Sequence, residues 1–197
     1  MQIDKDTQAL IDDRLKNNAP ALESFSPQEL RDLRAKMAET PLELRVEISD
    51  VENTFIEGTL GKIPIRRYFD SKTNDFQNGN SPLIIYFHGG GFVMGNLESH
   101  DLVCRHLCKE AKSTIIAVDY KLAPEHKFPA AIIDTEDAIK EIIKKENEFK
   151  FDKNKVILCG DSAGGTLAAV GTIMSRDGMV PKIHGQILVY PWVDLTM

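Results

Sequence analysis

The chain is poor in cysteine, with three in 197 residues: Cys104, Cys108 and Cys159. An odd, low number excludes a disulfide-stapled scaffold and points to reduced thiols in a cytoplasmic protein. The opening MQIDKDTQAL has no apolar stretch of the kind a secretory signal requires. Nowhere does an apolar run approach the roughly 18 residues of a membrane span, which argues against stable membrane insertion. Basic residues are in the minority, 24 against 30 acidic ones, for a net charge of −6. That balance speaks against a nucleic-acid partner, which calls for a basic patch. The one local cluster of lysines, in KEIIKKENEFKFDKNK, reads as a solvated helix end. Internal repeats and low-complexity segments are also missing. The length suits one domain with a sizeable core.

The first 40 residues read as helices. In SPQELRDLRAKM, Ser26 is the N-cap, Pro27 takes the first helical position and Glu29 closes a capping box. Leu30, Leu33 and Met37 make an apolar stripe expected to bury against the main body, and Pro41 ends the helix. Residues 1–42 are therefore expected to form a helical lid on a core spanning 43–197. From residue 44 the pattern changes. Residues 44–58 and 62–69 alternate as antiparallel strands do, and 71–82 is a polar loop. Aliphatic strands at 83–87, 114–119, 155–159 and 185–190 then alternate with helices at 99–111, 128–149 and 163–176. The last of these helices is apolar on nearly every side and so is expected to be buried. Such alternation implies a mostly parallel sheet with helices on both faces. Binding belongs at the carboxyl ends of its strands.

Three unusual loops follow those ends: HGGGFVMG, YKLAPEHKFPA and GDSAGG. The last, Gly160-Asp161-Ser162-Ala163-Gly164, is G-x-S-x-G between a strand and a helix. A sharp turn there lifts a serine hydroxyl above the sheet in a strained conformation, and small neighbours let the backbone make it. The free N–H groups at the start of the next helix add donors, with Ala163 N–H placed to meet an oxyanion. In His88-Gly89-Gly90-Gly91 the three glycines allow further backbone N–H groups to point at a substrate, Gly90 and Gly91 foremost. Each such donor is worth about 3–4 kcal/mol at a transition state. The bland reading of GDSAGG is a tight turn with close helix packing, a role that suits Gly165.

Two other readings are weaker. A dinucleotide loop requires G-x-G-x-x-G, but Met94 holds the last glycine position, and no G-x-x-x-x-G-K-[ST] loop exists. His100, Cys104 and Cys108 share a helical face at i, i+4, i+8. One helix cannot supply four tetrahedral metal ligands, however, and Val103, Leu107 and Ala111 lie close by. The cysteines read as small core residues.

Taken together, HGGGFVMGNLESHD, VDYKLAPEHKFPAA, GDSAGG and VYPWVD resemble the hormone-sensitive-lipase branch of the α/β-hydrolase esterases and lipases. The resemblance runs from about residue 40 to residue 197. It implies an α/β-hydrolase fold and a carboxylic ester hydrolase working through an acyl-enzyme. Ser162 would be the nucleophile, with Gly90, Gly91 and Ala163 as oxyanion donors and His88, Gly89 and Asp161 in support. His126 would anchor its loop. The partner would be a small-molecule carboxylic ester. The family uses no metal or organic cofactor and often dimerises.

The family's triad runs Ser, then Asp, then His. After Ser162 the histidine available is His184, and Asp177 is the carboxylate before it. A helix of some 15 residues carries Asp177 about 20 Å from the serine, and His184 enters the next strand from that far edge. Asp194 lies at the catalytic edge without a histidine to orient. The triad Asp and His are thus expected outside this chain, which would be an incomplete core ending after its sixth strand. Losing the histidine of a triad costs on the order of a million-fold in turnover. The readings left open are a hydrolase whose chemistry needs more chain, an inactive ester-binding fragment, and acyl transfer or peptide hydrolysis on the same elbow. The last strand would carry an open apolar edge through which copies of the chain could associate.

Overall fold

The computed structural model describes residues 3–17, 20–21, 24–37 and 46–194. Helix α1 (Lys5–Lys16) is capped by Asp4, whose carboxylate accepts the N–H groups of Asp6 and Thr7 at 3.0 Å. Helix α2 (Pro27–Met37) begins with the predicted capping box. Glu29 N–H donates to Ser26 Oγ at 3.3 Å, and Ser26 N–H donates to Glu29 Oε2 at 2.7 Å. The predicted burial of its stripe is not met at Leu33. Leu33 is 41 % exposed and Leu30 half-buried, while the Met37 side chain and Pro41 lie outside the described residues. A polar anchor holds the helix instead.

The sheet begins with β1 (Asp50–Ile56) and β2 (Ile63–Phe69), an antiparallel pair. The polar loop that follows contains one helical turn, α3 (Asn74–Gln77), because Phe76 is buried and stacks on Phe69 at 4.7 Å. Then come β3 (Ser81–Phe87), α4 (Asp101–Ala111), β4 (Thr114–Val118) and α5 (Ala130–Lys144). The helix expected to continue to residue 149 breaks at Lys145. A short α6 (Glu146–Phe149) follows, with Phe149 in the core and Lys150 at φ 56° turning the chain into β5 (Phe151–Asp161). Helix α7 (Ala163–Arg176) and strand β6 (Gly185–Val189) complete the order.

The six strands lie in the order β1-β2-β4-β3-β5-β6, with β3 parallel to β4 and β5, and β5 parallel to β6. Side chains alternate across the sheet as a strand requires. Leu83, Ile85 and Phe87 of β3 join one core with Ala138, Ile139 and Ile142 of α5 and Leu167 and Ala168 of α7. Ile84 and Tyr86 face the other way, onto Cys104 and Cys108 of α4. Those cysteines are the small core residues the sequence suggested, although Val103 is exposed rather than sharing their face. Helix α7 is buried toward the sheet but leaves Ile173 half exposed. In-register pairing of Phe87 with Val118 and Gly160 brings the three unusual loops to one sheet edge. Strand β6 sits at the sheet margin with Ile187, Tyr190 and Trp192 exposed.

Candidate active site

Ser162 forms the corner between β5 and α7 at φ 51°, ψ −120°. A non-glycine residue holds such a conformation only where its surroundings over-determine it. Here Ser162 N–H donates to Val189 O at 2.9 Å, and Ser162 O accepts from Thr166 N–H at 3.1 Å and Trp192 N–H at 3.4 Å. Gly164 lets this corner press onto β3: a Cβ there would collide with the Phe87 carbonyl, and one at Gly160 with the Gly164 backbone. Gly165 packs less tightly, at 3.1 Å from Gly160 O and Pro191 Cβ.

The glycine loop is a run of left-handed residues: Gly90 (φ 132°), Gly91 (φ 62°), Phe92 (φ 61°) and Gly95 (φ 90°). It folds on the Gly90 carbonyl, which accepts from Val93 N–H at 3.1 Å and Met94 N–H at 2.8 Å. Among the described residues, the N–H groups of Gly90, Gly91 and Ala163 have no hydrogen-bond acceptor.

Asp161 ties this loop to the serine corner. Its Oδ1 accepts from Gly89 N–H at 2.9 Å and Tyr86 O–H at 2.7 Å, and lies 3.3 Å from His100 Nε2. Burial alone would raise its pKa; the hydrogen bond and charge of His100, with Tyr86 and Gly89, outweigh that and hold it at about 2. His100 is therefore no partner of the α4 cysteines. It precedes the helix and spans Asp161 and Ser99 Oγ.

His88 is buried, its Nδ1 donating to Gly89 O at 2.9 Å and its ring stacked 4.4 Å from Tyr120. Tyr120 O–H in turn donates to His88 O at 2.6 Å. Among the described residues His88 Nε2 has no hydrogen-bond partner, and it lies 3.9 Å from Asp119 Oδ1. Burial lowers the His88 pKa to about 4 and raises that of Asp119 to about 6. Tyr86, His100 and Tyr120 were not singled out as site residues by the sequence. Their signal was a tyrosine at the end of an otherwise aliphatic strand, and polar residues next to the glycine loop.

No histidine among the described residues hydrogen-bonds the Ser162 hydroxyl. His184 is at the opposite sheet edge, where its N–H donates to Val156 O at 2.8 Å, and Asp177 pairs with Arg176 beyond the far end of α7. His126 is exposed, and among the described residues its backbone N–H rather than its ring makes the bond, to Leu122 O at 2.9 Å. The loop anchor expected at His126 is this backbone bond. Among the described residues no group of His, Cys, Asp and Glu is gathered as metal ligands would be.

Beside the serine corner lies an apolar cavity of about 330 Å³, lined by Phe92, Ala123, Phe128, Ile132, Leu167 and Val170 among others. A second cavity of similar volume, with Lys72, Lys109 and Lys112, is at the opposite edge of the sheet, remote from Ser162. Helix α2 reaches the sheet edge that carries the glycine loop through Arg31. Its guanidinium donates to Glu125 at 2.8 and 2.9 Å, to Val93 O at 2.8 Å and to Ala123 O at 2.9 Å. None of this was visible in the spacing of α2, whose apolar stripe drew attention instead.

The family described as alpha/beta hydrolase fold matches residues 84–197. The chain belongs to that family. It is 39 % identical over 164 residues to Esterase LipI of Mycobacterium tuberculosis, covering 83 % of this chain and 48 % of LipI. It is 36 % identical over 166 residues to Carboxylesterase NlhH of the same organism, covering 83 % of this chain and 51 % of NlhH. The solved hyperthermophilic esterase from the archaeon Pyrobaculum calidifontis superposes with a TM-score of 0.87 at 35 % identity, over 100 % of this chain and 61 % of that one. The chain thus spans about half the length of the curated relatives it matches. These likenesses fit the hormone-sensitive-lipase-like esterase branch. Among the described residues no helix is long and apolar enough to cross a membrane.

Proposed function

We propose that this chain carries the nucleophile and oxyanion half of a carboxylic ester hydrolase. The observation that carries the reading is a strained Ser162 at the same sheet edge as the N–H groups of Gly90, Gly91 and Ala163, which have no acceptor among the described residues. In this reading Ser162 Oγ attacks the ester carbonyl and its proton passes to a base. The carbonyl oxygen gains negative charge between the three donors. The C–O bond to the alcohol breaks, the alcohol leaves with a proton, and water hydrolyses the acyl-serine to a carboxylic acid. The apolar cavity at Phe92 and Leu167 suits one hydrocarbon arm of a small ester. His88, Gly89 and Asp161 shape the loop; His88 is buried with Nδ1 engaged and so braces rather than acts as the base. The base and its carboxylate partner come from outside residues 1–197. The esterase names of the relatives support the reaction class. The free, buried thiols suit a reducing, cytoplasmic setting.

The remote placement of His184 and Asp177 favours a second reading for this chain by itself, ester binding without turnover. Hydrolysis of a short-chain p-nitrophenyl ester separates the two, measured beside Ser162→Ala with and without added imidazole as a substitute base. The expected result is almost no turnover above the variant without imidazole, on the order of a million-fold below a full triad, and Ser162-dependent turnover with it. Ser162-dependent turnover without imidazole would show that a histidine of this chain reaches the serine. Equal rates for both proteins in imidazole would leave the binding reading alone.

A further inference from the structure

The left-handed residues Gly90, Gly91, Phe92 and Gly95 need outside support to persist. Asp161 holds its start through Gly89 N–H, and Ala123 N–H donates to Phe92 O at 2.8 Å from the neighbouring loop. The other anchor on this stretch comes from the helical segment before the sheet. Arg31 Nε donates to Val93 O at 2.8 Å, while Nη2 donates to Ala123 O at 2.9 Å, so one guanidinium bridges the two loops. Its remaining donors form a two-pronged pair with Glu125, at 2.9 and 2.8 Å. A planar fork fits four acceptors in this way where an ammonium does not. Among the described side chains of the α2 stripe, Leu33 is exposed and Leu30 only half-buried. The contact therefore both docks the helix and ties the two loops together.

We infer that Arg31 is a positioning residue for the glycine loop: by holding the Val93 and Ala123 carbonyls it fixes the Gly90 and Gly91 N–H groups relative to Ser162. The competence of the site then depends on α2 being docked. The inference rests on the proposed role of Gly90 and Gly91 as oxyanion donors.

Hydrogen–deuterium exchange on the full chain tests it without requiring turnover. The reporters are the bonded amides of Gly89, Val93, Met94 and Ala123. Arg31→Ala is expected to speed their exchange about tenfold or more, as loss of a charge-assisted hydrogen bond implies, with the melting temperature unchanged. Glu125→Gln leaves both carbonyl bonds in place and is expected to stay near wild type at those amides. Arg31→Lys should recover only part of the protection. Faster exchange confined to residues 27–37 would overturn the inference, as would faster exchange spread evenly over the chain. With imidazole supplied, Arg31→Ala should lower kcat and leave KM unchanged. If Ser162 proves not to be a nucleophile, the exchange result still stands by itself, so failure of the clamp and failure of the hydrolase reading remain distinguishable.

Discussion

Asp161 Oδ1 accepts the Gly89 N–H at 2.9 Å, so the residue before Ser162 grips the residue that leads into the glycine loop. Tyr86 and His100 converge on the same oxygen. Removing the carboxylate strands three buried polar groups at once. Asp161→Ala is therefore expected to cost about 2–4 kcal/mol, and Asp161→Asn less, since its amide oxygen still accepts one donor. The carboxyl titrates at about 2, below its unfolded value, so its contribution is present above pH 4 and lost as pH falls toward 2. Urea unfolding at pH 7 and at pH 3 measures both points. Wild-type stability in Asp161→Ala at pH 7 would show that Asp161 is not the brace.

Two glycines of the site should each lose stability on gaining a methyl group, for different reasons and by different amounts. Gly164 has ordinary helical geometry but no room: a Cβ would run into the Phe87 and His88 carbonyls, which are backbone and cannot swing aside. Gly91 has open space within 4 Å but sits at φ 62°. Gly164→Ala is expected to destabilise by roughly 3 kcal/mol or more through overpacking. Gly91→Ala should cost about 1–2 kcal/mol, the left-handed penalty of an L residue. Thermal melts of the pair check the order. Equal losses would mean that the serine corner relaxes away from β3.

The fold was legible because each strand carries its own signature. Ile84, Ile85 and Phe87 in a continuous run signal burial on both faces, and G-x-S-x-G after β5 marks the corner. Ser26 and Glu29 announced the start of α2. What it docks on was hidden, because Leu30 and Leu33 drew the eye to an apolar face while Arg31 makes the contact with residues 93, 123 and 125. Bonds that span 62 to 94 positions leave no periodic trace. His100 misled in the same way. Its spacing to Cys104 and Cys108 looked like a helical face, yet its partner Asp161 comes from another strand. The break at Lys145 was missed because polar composition continues across it; the buried Phe149 and the left-handed Lys150 decide the turn.

The pair beneath the glycine loop should give opposing pH slopes. His88, lowered from 6.5 to about 4 by burial, contributes stability present above pH 6.5 and lost as pH falls through 4. Asp119, raised from 3.8 to about 6 chiefly by burial, contributes stability present below pH 4 and lost as pH rises through 6. The His88 change amounts to roughly 3 kcal/mol and the Asp119 change to less, because about a third of its side chain is exposed to screening solvent, and between pH 4 and 6 the two oppose one another. Asp119→Asn should therefore expose the acid-side loss, and His88→Asn the loss on raising pH. Urea midpoints at pH 4, 5, 6 and 7 separate them. A flat profile in Asp119→Asn would rule out a neutral, buried His88.

The sheet margin at β6 predicts self-association of the isolated chain. Strand β6 pairs with β5 on one side. Ile187 is 41 % exposed on it, and Tyr190, Trp192 and Val193 extend the apolar strip beyond its end. Among the described residues no strand pairs with the other edge of β6, and backbone groups left open beside such side chains are a template for another strand. Light scattering across a concentration series should show growth above the monomer mass. Ile187→Lys combined with Val189→Lys should suppress it, because two charges on the edge oppose close pairing while leaving the β5 register intact. A wild-type chain that stays monomeric at high concentration would show that the strip from 185 to 193 is not used this way. Growth that persists in the double lysine variant would place the contact elsewhere, with the exposed Phe128 beside the apolar cavity the next surface to test.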